Sequence, residues 1–417
     1  MPALALVLPL LLAGAAAPLP QTDECEILRT CAPKPKPRPR MERAPAPARP
    51  PRAAPPPPII RPVAAALPAD PIRRCDQLAG SELDPSRPAG APFVAPEAIE
   101  SAPAVAACRN AVVAGGASEA RMMLNLGRAY SAGTSYGDAH IWFSRAAERG
   151  NVVAMNNLGA LYAAGDGVPQ DFAAARSWFE QASARRFGRA TNNLGVLYAK
   201  GQGVEKNQAE AIRLYRRAVA EGDAFAMRNL ADAYYFGDGV PKDQAEAFRL
   251  FGTAAQKNEP YAMYMLGYMY DTAQGTSEDN ALALQWLTRA ADRKNPEAMS
   301  YLGSRYQIGT GVPQDFGKAL KLYEQAAALG NASAMTGIGT LYHNGQGTAQ
   351  DYAKARMWYE RAIAAGDDSA VVNLGILYQF GQGVPKNLTE ARRLYAKAAE
   401  KGSETARRRL ASLDIQP

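Results

Sequence analysis

Seven residues in two clusters carry the most concentrated chemistry of this chain: Phe225, Arg228, Tyr235 and Phe236, then Tyr261, Tyr264 and Tyr268. Large aromatic rings and a guanidinium at helical spacing are the groups that dominate protein interfaces. The residue types of catalysis are sparse by comparison. Only two histidines, His140 and His343, occur in 417 residues, and neither lies in a His-Glu-x-x-His zinc motif. Four cysteines, Cys25, Cys31, Cys75 and Cys108, form no Cys-x-x-Cys pair, and no phosphate-binding glycine loop is present. The recurring Gly-x-Gly lacks the third glycine and preceding strand of a dinucleotide site. These residues assign no catalytic group, no metal ligand and no cofactor.

The elements that position the seven residues repeat. Aligned on Gly127, Gly159, Gly195, Ala231, Gly267, Gly303, Gly339 and Gly375, eight units follow one another, spaced by 36 residues from Gly159 onward. Such a period denotes stacked supersecondary units. A tyrosine always stands three positions later, from Tyr130 to Tyr378, and in repeats two to eight an alanine stands five positions earlier. Apolar positions −5, −1, 0 and +3 share one arc of a helix, which predicts an amphipathic first helix. Glycine inside it costs about 1 kcal/mol against alanine, which suggests that another backbone approaches there.

The first helix stops at Gly-x-Gly-Val-Pro, as in Gly165–Pro169. Asp171, Asn207, Asp243, Asp279, Asp315, Asp351, Asn387 and, in repeat one, Ser135 are the expected N-caps of a second helix. That helix carries alanines such as Ala175 and Ala182 around a bulky pair such as Trp178-Phe179. The i, i+3/4, i+7 spacing makes this a packing stripe.

The motif Ala-x-x-x-Leu-Gly-x-x-Tyr-x-x-Gly-x-Gly-Val-x-x-Asp, with Ala-x-x-Trp/Leu-aromatic-x-x-Ala after it, resembles the Sel-1-like repeat, a relative of the tetratricopeptide repeat. The resemblance covers about Ala117 to Leu413 and implies an all-α, right-handed α/α superhelical solenoid of eight 36-residue helix–turn–helix repeats, with a disordered N-terminal region. It also implies a non-enzymatic adaptor whose concave groove binds a protein or peptide. A cysteine-rich branch of the family is associated with β-lactam hydrolysis, a second alternative that cysteine-free repeats disfavour.

The resemblance places positions −6, −3, +1, +4 and +5 of each first helix, about 170° from the packing arc, in that groove. Repeat four supplies Phe225, Arg228, Asp232, Tyr235 and Phe236 there, and repeat five Tyr261, Tyr264, Tyr268, Asp271 and Thr272. Phe225, Arg228, Tyr235, Phe236, Tyr261, Tyr264 and Tyr268 are the expected contact residues. His343 would face the groove as a lone polar contact and His140 the helix surface.

Before the repeats, residues 1–17 read as a signal peptide, with an apolar run from Ala3 to Leu12 and an Ala-x-Ala site near Ala15. Prolines Pro9 and Pro18 interrupt it, so no transmembrane span is expected after cleavage. Residues 18–71 form a Pro/Arg-rich linker, with 15 prolines between Pro33 and Pro71. Over 27–62 nine basic residues face only Glu42, a net of +8, against +7 for the whole chain. The remainder is therefore about −1, which argues against a nucleic-acid platform. The linker suits an anionic envelope polymer, and cell-wall binding is the first alternative function.

Four cysteines after an export signal predict two disulfides and allow three connectivities. Cys75–Cys108 with Cys25–Cys31 is the favoured pairing, since Cys75 and Cys108 flank a lead-in (72–116) that holds an alanine-rich cap helix. Repeats then run over 117–402, and 403–417 forms a C-terminal cap helix. Together these features predict a periplasmic or secreted protein of the bacterial envelope.

Overall fold

The computed structural model describes residues 70–114 and 116–414, so the leader, nearly all of the linker and the Cys25–Cys31 pair lie outside the described residues. Among the described residues there are nineteen α-helices and no strand: an all-α solenoid. They fall into two compact units, one reaching Asn151 with the Asp166–Val168 turn, the other holding the remainder.

The first unit contains α1 (Pro71–Ala79), α2 (Ser101–Ala114), α3 (Glu119–Ala132) and α4 (Tyr136–Glu148). Besides the expected cap helix α2, the lead-in forms a further helix, α1. Asp70 caps α1 through Ile72 N, with Pro71 in the first turn, so this helix begins where the linker was expected to end. A disulfide joins Cys75 on α1 to Cys108 on α2, and both cysteines are fully buried.

Two arginines of α3 then bind the lead-in by its main chain. Arg128 donates to Ala79 O at 2.5 Å and Val94 O at 2.7 Å, while Arg121 donates to Ser86 O at 3.0 Å and pairs with Asp76 at 3.3 Å. Asn125 donates to the same Asp76 carboxylate at 2.9 Å. Burial raises the Asp76 pKa despite Arg121, and burial lowers that of Arg128 to about 10. Arg121, Asn125 and Arg128 occupy positions −6, −2 and +1. In repeat one, this side of the first helix is therefore covered by the chain's own lead-in.

The second unit holds seven helical hairpins: α5 (Val152–Ala164) with α6 (Phe172–Ala184), α7 (Gly188–Lys200) with α8 (Gln208–Ala220), α9 (Ala224–Phe236) with α10 (Gln244–Gln256), and α11 (Pro260–Asp271) with α12 (Asn280–Asp292). They continue as α13 (Pro296–Ile308) with α14 (Phe316–Ala328), α15 (Ala332–Asn344) with α16 (Tyr352–Ala364), and α17 (Ser369–Phe380) with α18 (Leu388–Glu400), before α19 (Glu404–Asp414). Consecutive helices pack on one another, and first helices also touch across repeats, as α7 touches α9 and α11 touches α13. At the end, Ala406 and Leu413 of α19 are buried while Arg407 and Arg408 pair with Glu404.

All seven Asp and Asn N-caps accept from free helix N–H groups, among them Asp171 from Ala173 N and Ala174 N. Ser135 does not. Its shortened loop leaves it at ψ 63° rather than near 95°, and its hydroxyl makes no cap bond. In repeat five, where Gly-x-Gly is lost, α11 ends on Thr272 instead of a left-handed glycine.

The close approach expected at the reference glycine is present, but in most repeats a side chain rather than a backbone makes it. In most repeats the aromatic ring of the partner helix is what approaches it; at Gly267 the partner backbone does too, with Ala283 O 3.0 Å from where a Cβ would lie. A Cβ on Gly159 would lie 2.5 Å from the Phe179 ring, and one on Gly339 2.5 Å from that of Tyr359. The ring of the bulky pair fills the hairpin only because the facing residue has no side chain.

Candidate functional site

Repeats four and five bring the expected contact residues onto adjacent first helices, and repeat three adds an arginine that was not expected. At position −6, Arg189 of α7 lies 4.0 Å over the Phe225 ring of α9 and donates to Asp223 at 2.7 Å. One turn further along α9, Arg228 lies 5.4 Å from the same ring, 5.6 Å from that of Tyr261 on α11, and 3.7 Å from Glu259. An alternating row of guanidinium and ring thus crosses three repeats, with Phe225, Arg228 and Tyr261 half-buried. Phe236, at the last turn of α9, is 49% exposed and meets Tyr235 edge-on at 4.9 Å.

Asp232 sits behind this row. Although the residue is only half-buried as a whole, its Oδ1 is enclosed and has no hydrogen-bond partner. Tyr261 donates to the carboxyl, and burial raises its pKa to about 7, opposed by Arg228 and reinforced by Glu259. Burial likewise raises Glu259, again against the pull of Arg228. A carboxyl whose folded pKa lies above its unfolded value favours folding at low pH and loses that contribution as pH rises towards 7. Wild type should therefore lose about 1–3 kcal/mol relative to Asp232→Asn between pH 5 and pH 8, a range discounted for partial exposure. Urea midpoints of both proteins at the two pH values measure it, and parallel pH profiles would refute it.

Three of the seven expected residues are not open to a partner. Tyr235, Tyr264 and Tyr268 are only 7%, 5% and 5% exposed. Tyr264 contacts Tyr261 at 6.0 Å, Tyr268 at 6.3 Å and Tyr301 at 6.2 Å, and Tyr268 meets Tyr301 at 5.6 Å. The Tyr235 hydroxyl donates to Gln274 at 2.6 Å. Their helical phase is as expected, but first helices of successive repeats lie close enough for Tyr301, at −2 on α13, to close over positions −3 and +1 of α11. The tyrosines fill that seam.

Sequence reasoning also missed polar residues on the same helices. Asn193 donates to Asn156 at 2.9 Å and Asn229 to Asn192 at 2.8 Å, an amide ladder through repeats two to four that Arg228 extends with a bond to Asn229. The recurrent Asn-Asn before Leu158 and Leu194 was the available clue. Gly-x-Ser-x-Gly, expected to be absent, does occur as a spacing at Gly133-Thr134-Ser135-Tyr136-Gly137. A nucleophile elbow joins a strand to a helix, whereas Ser135 joins two helices, so the spacing reflects turn composition. His343 stands edge-on to Tyr352, half-buried, and burial lowers its pKa. Among the described residues, no cluster of His, Cys, Asp and Glu is arranged to hold a metal ion.

The Sel1 repeat model matches eight consecutive stretches: 120–151, 152–186, 188–223, 224–259, 260–295, 296–331, 332–367 and 368–403. The chain belongs to the Sel1 repeat family. No curated protein matches it. Among solved structures it is similar to a protective antigen of uropathogenic Escherichia coli with this repeat fold, at 32% identity and a TM-score of 0.54, over 74% of this chain and 67% of the antigen. A Sel1 repeat protein from Oxalobacter formigenes matches at 30% identity and a TM-score of 0.52, over 58% of this chain and 96% of its own. Sel1 repeat proteins are generally protein–protein interaction scaffolds. No helix among the described residues is long and apolar enough to cross a membrane.

Proposed function

We propose that this Sel1 repeat protein is a non-enzymatic adaptor that holds a polypeptide against the first helices of repeats three to five, through Phe225, Arg228, Tyr261 and Phe236 with Arg189 beside them. One observation carries this reading. In repeat one the corresponding helix side already holds a polypeptide, the lead-in, whose carbonyls at Ala79, Ser86 and Val94 accept from Arg121 and Arg128. Repeats three and four present Arg189 and Arg228 on the same side, with the Phe225 and Tyr261 rings beside them. Export to the bacterial envelope fits this reading, since the fold contains a disulfide and the chain starts with an uncharged apolar run.

Selection of a displayed peptide library on the full chain tests the proposal. Enriched peptides should lose about 30-fold or more in affinity with Phe225→Ala plus Arg228→Ala, at unchanged helical content. Undiminished affinity in that variant would move the site elsewhere.

A further inference from the structure

A recess lies on the side of the second helices, between α14 and α16, with a volume of about 530 Å³. Its walls include Met335, Trp358, Ala364 and Ala365, with Glu324 and Arg361 at the rim. A side chain present at the equivalent place in repeat two is missing here. Met335 is at position −4 of its repeat, and the methionines at that position in repeats two, four, five and six are buried: Met155, Met227, Met263 and Met299. Met335 is only partly so.

In repeats two and three the residue that ends the second helix contacts position −4. Arg185 ends α6, and its Nη1 lies 3.5 Å from Met155 Sδ while donating to Gln181 O at 3.1 Å. In repeat three Glu221 ends α8 and bonds Thr191, the residue at −4, at 2.7 Å. In repeat seven the corresponding residue is Ala365. Repeats two and seven share the methionine at −4 and the tryptophan of the second helix, Trp178 and Trp358, while Gln181 stands where repeat seven has Arg361 and Ser144 where Glu324 stands.

We propose that the recess receives an arginine side chain of a bound polypeptide, which supplies from outside the cover that Arg185 supplies in repeat two. The chemistry of the walls favours a guanidinium over a purely apolar group. Methylenes of an arginine stem suit Met335 and the alanines. α14 and α16 both end at the recess, and helix C-termini attract cations. Glu324 adds a carboxylate that is not committed along its helix. Glu180 and Glu360 pair with Arg176 and Arg356 four residues earlier, whereas Leu320 stands four before Glu324. Arg361 already lies over the Trp358 ring at 5.0 Å, so the incoming group meets Met335 and the carbonyl ends rather than the indole face.

The test titrates the full chain with a short acetylated, amidated alanine peptide bearing one arginine, and with its norleucine and glutamate counterparts. The indole N–H resonance of Trp358, assigned with Trp358→Phe, reports occupancy. The arginine peptide should shift this resonance at millimolar concentration, at least about fivefold more tightly than norleucine, and glutamate should not shift it. Ala365→Arg, which recreates the cover of repeat two, should abolish the shift. An equal response in Ala365→Arg, equal affinity for norleucine, or no shift by about 10 mM would overturn the proposal. If Ala365→Arg lowers the melting temperature, Glu324→Gln on the exposed rim decides instead. It should weaken the arginine peptide about threefold and leave norleucine unchanged, and any other pattern refutes the assignment.

Discussion

Tyr264→Ala combined with Tyr268→Ala should remove about 5 kcal/mol or more from the stability of the second unit, enough to melt it near ambient temperature. Each ring is 5% exposed and both touch Tyr301, so truncation leaves a cavity in the seam between α11 and α13 rather than a bare surface. Loss of one large aromatic from such a site costs about 3–5 kcal/mol, and rings in mutual contact do not add independently. Phe236→Ala, at 49% exposure, should cost under about 1 kcal/mol and serves as the control. Thermal melts followed by circular dichroism make the comparison. A double variant that melts with wild type would return both tyrosines to an open face.

Cys75→Ser with Cys108→Ser should destabilise the first unit by about 3–4 kcal/mol, the chain-entropy value for a separation of 33 residues. The effect should reach further than α1 and α2. Arg128 and Arg121 hold carbonyls at Ala79, Ser86 and Val94 only while α1 is anchored, so the 80–95 segment should become open to protease in the double variant. Limited proteolysis with mass mapping reads this directly. An unchanged cleavage pattern, or a non-reduced wild type in which Cys75 pairs with Cys31, contradicts the account.

The repeat architecture was legible in the sequence because each unit must bury the same stripe, so period, caps and small residues recur in phase. Helix boundaries and seven of eight N-caps follow from that alone. The Cys75–Cys108 bridge was legible from placement, since both residues flank the lead-in. What escaped depends on distances between units, which no single repeat encodes. Tyr264 and Tyr268 have the phase of surface residues, and only the proximity of α13 turns them inward. Gly159 faces a ring, not a backbone, because Phe179 projects across the hairpin. Arg121 and Arg128 look like groove residues in sequence, and the lead-in that covers them precedes its partners by 35 and 34 residues or more.

The central claim is that the first helices of repeats three to five are where this scaffold meets a polypeptide. Photo-crosslinking inside the native cell tests it most directly, with benzoylphenylalanine placed singly at Phe225, at Phe236 and, as a control, at Ile141 on α4. All three side chains are at least partly exposed, so incorporation should leave folding intact. Discrete polypeptide adducts at Phe225 and Phe236, absent at Ile141 and lost when Arg228→Ala is added, are the predicted result. Adducts at Ile141 alone, or none at either inner position, would contradict it.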